Sequence, residues 1–315
     1  MRRYLEPVLV GVGVFLVMAG VMTRFYAVPK LAVAPIDQYS VTSLEAKGAT
    51  IFDSAKLAEI TTDLSIKART VGDVVSSEKA PANAVVWVST NTTRSSDGVT
   101  RSQSVERAAF NKVSGVAVSC CNNFDESTKG QRVPTSPKGQ VFKFPFWTEK
   151  TTYSMWDSTA QRTVAAKYTG TTKVQGMNVY KFVSDLPDTV TGTLDVPASV
   201  LGMAGTENVA AENHYQNLTT YLVEPTTGGI VNQSMVQKQW LASGDHQLVT
   251  TAATIAFTKA QVADMVHQVK TKSILLRAAH GIGFYLLVII GLLLAGAGVM
   301  LGLRRRGNLG AVAVS

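Results

Sequence analysis

The sequence has little of what catalysis and metal binding usually need. Of its 315 residues, two are cysteines and four are histidines. His214, His246, His267 and His280 are scattered along the chain, without the close spacing of a metal site. There is no P-loop, no Rossmann glycine fingerprint and no G-x-S-x-G elbow. Ser243-Gly244-Asp245-His246 contains the residue types of a hydrolytic triad, but consecutive residues cannot easily converge as one, and they read as a turn. Asp185, Asp188 and Asp195 lie in the stretch DLPDTVTGTLD. Their spacing is not that of an EF-hand, so this stretch is expected to be a solvated loop. The chain is expected to be no enzyme and to hold no metal or cofactor.

Charge is also scarce, at 17% of residues against roughly 25% in soluble domains. The formal net charge of +8 would suggest a nucleic-acid binder until it is located. Between Lys30 and Lys270 the lysines and arginines number 22 and the acids 21, a balance of +1. The excess sits at Arg2, Arg3, Arg24, Lys272, Arg277 and Arg304 to Arg306. These residues flank apolar segments, as membrane-flanking charges do. The basic stripe of a phosphate reader is missing, which excludes nucleic acid as a partner.

Two long runs carry no charge. Residues 7–23 read PVLVGVGVFLVMAGVMT, just long enough to cross a bilayer if Phe25, Tyr26 and Val28 join in. A cleaved signal peptide is the rival reading, given Arg2, Arg3 and Ala32-Val33-Ala34. The apolar run exceeds the usual h-region, however, and Pro35 disfavours a cut there. Residues 281–303 read GIGFYLLVIIGLLLAGAGVMLGL, a full span stopped by three arginines. Gly291, Ala295, Gly298 and Gly302 are small residues at helical spacing, which lets helix backbones approach closely in lipid. Two spans put both termini on one side, and the short basic tails place that side in the cytoplasm.

The middle of the chain reads as a β domain, rich in Thr and Val and punctuated by turns. Residues 214–224, 230–241 and 246–257 form an antiparallel meander. Residues 162–170, 173–174 and 178–183 read as a hairpin around Gly176. Residues 59–70 and 84–89 are further strands. Thr258-Lys-Ala-Gln261 is a capping-box pattern and opens a helix that runs on to Gly281, with residues 44–56 as a weakly patterned partner segment. The expected layout is a tail at 1–6, a membrane helix at 7–28 and an extracytoplasmic β-rich domain at 29–258. A juxtamembrane helix at 259–280, a second membrane helix at 281–303 and a tail at 304–315 complete it. The fold class is a mainly β, antiparallel, barrel-like or sandwich ectodomain between two transmembrane α-helices.

Two local features stand out. Cys120 and Cys121 are adjacent, so their Cα atoms lie about 3.8 Å apart across a trans peptide, closer than the usual 4.4–6.8 Å or so of a disulfide. A strained and therefore labile vicinal bridge, two buried thiols, and a bond to another chain all remain open. Phe144, Phe146, Trp147, Tyr153 and Trp156 cluster tightly. They are either core or the wall of an apolar ligand groove.

The segment 143–182, KFPFWTEKTTYSMWDSTAQRTVAAKYTGTTKVQGMNVYKF, resembles the signature of the actinobacterial porin PorA family. So do the two-anchor layout, the Gly48-Ala-Thr-Ile-Phe-Asp53 stretch and the Cys120-Cys121 pair. The resemblance spans nearly the whole chain. It implies an envelope protein of mycolate-bearing bacteria, with a layout similar to that of class B scavenger receptors, whose ectodomain holds a lipid tunnel. It also implies a link to lipoglycan maturation and supplies no catalytic residues. The leading expectation is therefore a plasma-membrane protein that binds or transfers a lipid or lipoglycan intermediate. The alternatives are a porin or channel subunit, or a scaffold for an envelope glycosyltransferase. The expected partners are membrane lipids or lipoglycan, envelope-synthesis membrane proteins, and a second copy of the chain.

Overall fold

The computed structural model describes residues 4–310, and side chains up to Arg304. Arg2 and Arg3, and the side chains of Arg305 and Arg306, lie outside the described residues. The chain divides into two compact units, residues 1–33 with 271–315, and residues 34–270.

The first unit is helical. Helix α1 (Leu5–Met22) passes through a π turn at Thr23–Ala27 into a short α2 (Val28–Leu31), one helical run of 27 residues. At the π turn, the Thr23 hydroxyl donates to the Ala19 carbonyl at 2.8 Å. Arg24 lies 5.2 Å from the Phe284 ring centroid and donates to the His280 carbonyl. Helix α4 (Lys259–His280) ends at Gly281, and α5 (Ile282–Gly310) follows. The helix runs that contain α1 and α5 are long and apolar enough to cross a membrane. Small residues bring α1 and α5 together. A Cβ on Gly13 would stand 2.5 Å from the Ala295 nitrogen, one on Gly291 2.6 Å from the Gly13 oxygen, and one on Gly298 2.7 Å from Val10. Gly302 lies at the margin of this contact, 3.8 Å from the Glu6 carboxylate by the same measure. Only glycine or alanine allows main chains to come this close.

The second unit is one antiparallel sheet of twelve strands in the order β6-β5-β4-β3-β2-β1-β12-β11-β10-β9-β8-β7. The strands are β1 (Tyr39–Asp53), β2 (Ala58–Gly72), β3 (Ala84–Ser95), β4 (Thr100–Asn111), β5 (Phe124–Thr128) and β6 (Gln131–Pro134). The second half comprises β7 (Tyr153–Asp157), β8 (Arg162–Val174), β9 (Met177–Pro197), β10 (Asn208–Glu224), β11 (Gly229–Ser243) and β12 (His246–Phe257). Each strand pairs with its chain neighbour, and the first pairs with the last. The sheet is thus an up-and-down half-barrel whose open seam falls between β6 and β7. A relay of three isolated bridges joins β4 to β7 by way of intervening loops: Phe110 with Ala117, Val116 with Gln140, and Gln140 with Met155.

The expected meander and hairpin are present as β10–β12 and β8–β9. Residues 44–56, read as a weakly patterned partner segment, form strand β1 and its following turn. Lys47 and Gly48 form a bulge with Gly48 at φ 60°, which moves the buried side from Leu44 and Ala46 to Ala49 and Ile51. The Asp63 carboxylate accepts from the Gly48 amide at 2.9 Å and fixes the bulge. Residues 185–195 are also strand rather than solvated loop. They continue β9 against β10, while β8 pairs with β9 only as far as Ser184. Pro187 therefore sits where the other edge is free and its missing N–H costs nothing.

Helix α4 starts as expected. The Thr258 hydroxyl accepts from the Gln261 amide at 3.1 Å. The Gln261 side chain does not complete the box but accepts from the Ser43 amide at 2.9 Å. Val262, Val266 and Val269 of α4 pack on Val174, Met177, Val179 and Val231.

Candidate functional site: the interior of the half-barrel

Cross-strand register decides which side chains share the enclosed face. Leu44, Ala46, Ile51, Leu64, Ile66 and Ala253 form an apolar arc on β1, β2 and β12. The register then carries the same face onto polar residues. Thr70 stands opposite Ser89, Ser89 opposite Glu106, and Glu106 opposite Asp125. On the other side, Thr251 aligns with Gln239 and Ala253 with Gln237, and these continue to Tyr215 and Asn217. Two polar walls therefore flank one apolar wall.

Three carboxyls mark the polar walls. Burial, and then the charges of Asp125 and Asp157, push Glu106 from the usual 4.5 to about 8. Burial also raises Asp125, against a hydrogen bond from the Gln161 amide. That bond runs from the β7–β8 turn to β5, across the seam. Burial likewise raises Asp157, which accepts from the Ala160 amide at 2.9 Å and from the Tyr215 hydroxyl at 3.3 Å. Burial and the Asp157 charge hold the Tyr215 and Tyr221 hydroxyls well above the usual phenol range. At neutral pH, Glu106 is thus a neutral acid, and the two carboxyls near it are also raised by burial.

The segment after β6 lies across one mouth of the half-barrel. Val141 N donates to Gly115 O at 2.9 Å and Phe146 N to Val113 O at 3.0 Å, on the β4 side. Phe144 N donates to Gly228 O, Trp147 N to Thr226 O and Thr148 N to Pro225 O, on the β10–β11 side. Gly115 and Gly228 have φ of 75° and 67°. A Cβ on either would collide with backbone of this segment, so both positions need glycine. Three of the five aromatics, Phe144, Tyr153 and Trp156, go to core packing around the segment. Phe144 is fully buried among Phe182, Met155 and Val223, with Tyr153 edge-on at 5.5 Å. Trp156 packs beside Trp87, Phe110 and Phe142. Phe146 and Trp147 are half-buried, and Lys143 lies 4.1 Å from the Phe146 ring centroid.

The structure pairs Cys120 with Cys121 in a vicinal bridge. Cys121 and Asn122 adopt φ of 65° and 57°. Arg107 donates to both of their carbonyls and to the Asp73 carboxylate at 2.8 Å. On the outer face, His214 stacks on Trp240 at 4.9 Å and meets Asp188 at 2.8 Å. Ser243–His246 is the β11–β12 turn. Among the described residues, no group of His, Cys, Asp and Glu has the arrangement of a metal site.

Two cavities in the β domain are polar. The larger, about 570 Å³, is an open groove lined by Thr193, Glu212, His214, Ser243 and Gln247 among others. The smaller, about 20 Å³, lies at Asp157, Asn217 and Thr219. The porin PorA family model matches residues 6–300.

The chain belongs to the porin PorA family. A porin PorA of Corynebacterium amycolatum is 24% identical over 313 aligned positions, covering 78% of this chain and 80% of the relative. Porin PorA membership, with two apolar helices, makes this a membrane protein, and a porin family is consistent with the expectation of no enzyme. It supports the channel alternative above the lipid-transfer reading, for which neither the family nor the polar cavities offers support. The interior residues Glu106, Asp125, Tyr215 and Asn217 were not singled out from sequence. The signal present was polar alternation, as in Ser102-x-Ser104-x-Glu106.

Proposed function

We propose that this porin-family protein is an envelope channel subunit whose β domain is a water-side vestibule attracting small cations. The observation that carries the reading is the enclosed face itself, with Asp125 and Asp157 on its polar walls beside the neutral acid Glu106. Carboxylates on low-dielectric walls concentrate cations and repel anions. The outward side of β2, with Glu59, Asp63, Lys67 and Arg69, is unlike the apolar band of a lipid-facing barrel. The membrane passage therefore falls to the apolar helices, and two helices enclose no lumen. The conducting form is an assembly of several copies, each crossing twice with both termini in the cytoplasm.

The test is conductance in planar bilayers with the purified full-length protein. Stepwise currents with cation preference are expected, and the preference should fall in Asp125→Asn and Asp157→Asn. No conductance, or anion preference, refutes the proposal. Reporter fusions at both ends read the topology, and a reporter active only outside the cytoplasm overturns that part.

A further inference from the structure

Among the described residues of the β domain, Gln140 Oε1, Trp156 Nε1 and Asn217 Oδ1 are buried without a hydrogen-bond partner. Asn217 is 8% exposed. With Trp156 it borders the cavity of about 20 Å³, whose wall also includes Asp157, Ser184, Thr219 and Tyr221. A buried water needs roughly 10–15 Å³, so the space suits one water-sized species. We propose that this cavity binds one dehydrated monovalent cation of potassium or ammonium size.

The wall supplies the chemistry. Asp157 is the one carboxylate on it, so a single positive charge balances it. A divalent ion would require more anionic ligands. Asn217 offers an amide oxygen with no other partner, and Ser184, Thr219 and Tyr221 offer hydroxyl oxygens. Such hard oxygen donors suit alkali and ammonium ions. Burial makes the charged Asp157 carboxylate unfavourable even with the donors Ala160 and Tyr215 on it, and the ion competes with a proton for it. Trp156 Nε1 cannot serve a cation. A lone water could accept from Trp156 and donate to Asn217, and it is the competing occupant. The site deepens the channel reading by placing a dehydrated ion in the vestibule wall, but binding itself does not require conduction.

The experiment is thermal unfolding of the full-length protein in detergent at pH 7.5 and fixed ionic strength. The chlorides of potassium, ammonium, sodium and choline are compared. At ten times its Kd, the preferred ion should raise Tm by about 3–6 °C over choline. Asp157→Asn and Asn217→Leu should lose that increment, while Asp195→Asn on exposed β9 keeps it. Because either core variant could fold poorly, a second readout uses the unaltered protein: thallium(I) in crystals, with an anomalous peak expected between Asp157 and Asn217. Equal Tm in all four salts, or a cavity holding water alone in the presence of thallium, overturns the proposal. Bilayer conductance on the same preparation separates the two readings. Cation binding without current sinks the channel and leaves the site standing.

Discussion

Replacing Glu106 with glutamine should flatten the dependence of the β domain's stability on pH between about 5 and 7. The carboxyl titrates at about 8 in the folded protein against 4.5 ordinarily. The folded state therefore holds a proton that the unfolded state has released. A raised acid of this kind contributes its stability in full below pH 4.5, and the contribution drains away as pH climbs to 8. A displacement of 3.5 pH units corresponds to about 3–5 kcal/mol, the lower figure allowing for water reaching the partly exposed carboxyl. Glutamine keeps the shape and a donor but has no proton to lose. Denaturant unfolding of the full-length protein in detergent, followed by tryptophan fluorescence, reads the difference. Trp87, Trp147, Trp156 and Trp240 all lie in the β domain, so the signal is its own. The unaltered protein should lose stability from pH 5 to about 7, where burial has lowered Lys143 and its opposite slope sets in, and Glu106→Gln should follow a flatter curve over that range. Parallel curves would show that the carboxyl ionises as it does in water, and that the interior is not the low-dielectric space argued above.

Three further outcomes follow from the packing. Gly228→Ala places a Cβ against the Phe144 and Pro145 carbonyls at a positive φ. It should cost about 2 kcal/mol or more, seen as a lower denaturant midpoint. Gly291→Leu should part α1 from α5, and hydrogen exchange of α1 amides in detergent should rise. Unchanged exchange would mean that the contact at Gly13 adds nothing. With Cys120 bonded to Cys121 and no free cysteine in the chain, no thiol should titrate until a reductant is added. One or two reactive thiols in fresh non-reduced protein would refute the pairing.

The elements legible from sequence were those whose one face is apolar throughout. β11, β12 and the latter part of β10 show plain alternation or tight turns, and both long apolar helices stand out by length alone. β1 was hidden by its own bulge. Its buried side chains fall at 44, 46, 49 and 51, a spacing that mixes period two with the three-to-four of a helix. β4 was hidden because its enclosed face is Ser102, Ser104 and Glu106, so both faces are polar and no amphipathic contrast exists. The candidate site was illegible for the same reason. A polar interior looks like a loop until neighbouring strands are known. Glu106 gains its meaning only from Asp125 and Asp157, which the register brings near and the sequence keeps apart.

The pairing of β1 with β12 sets an order of events in biogenesis. Ser43 reaches the Gln261 side chain across 218 positions of sequence, and Leu44 aligns with Phe257. Until nearly the whole β domain has been synthesised, β1 has one hydrogen-bonding edge with nothing to satisfy it. Such non-local closure is slow and leaves an adhesive strand waiting. The second long apolar helix emerges directly behind β12, so membrane insertion of that helix competes with the final zipping of the sheet. Joining β1 to β12 is therefore the last step of sheet assembly, and β1 stays an open edge until it happens.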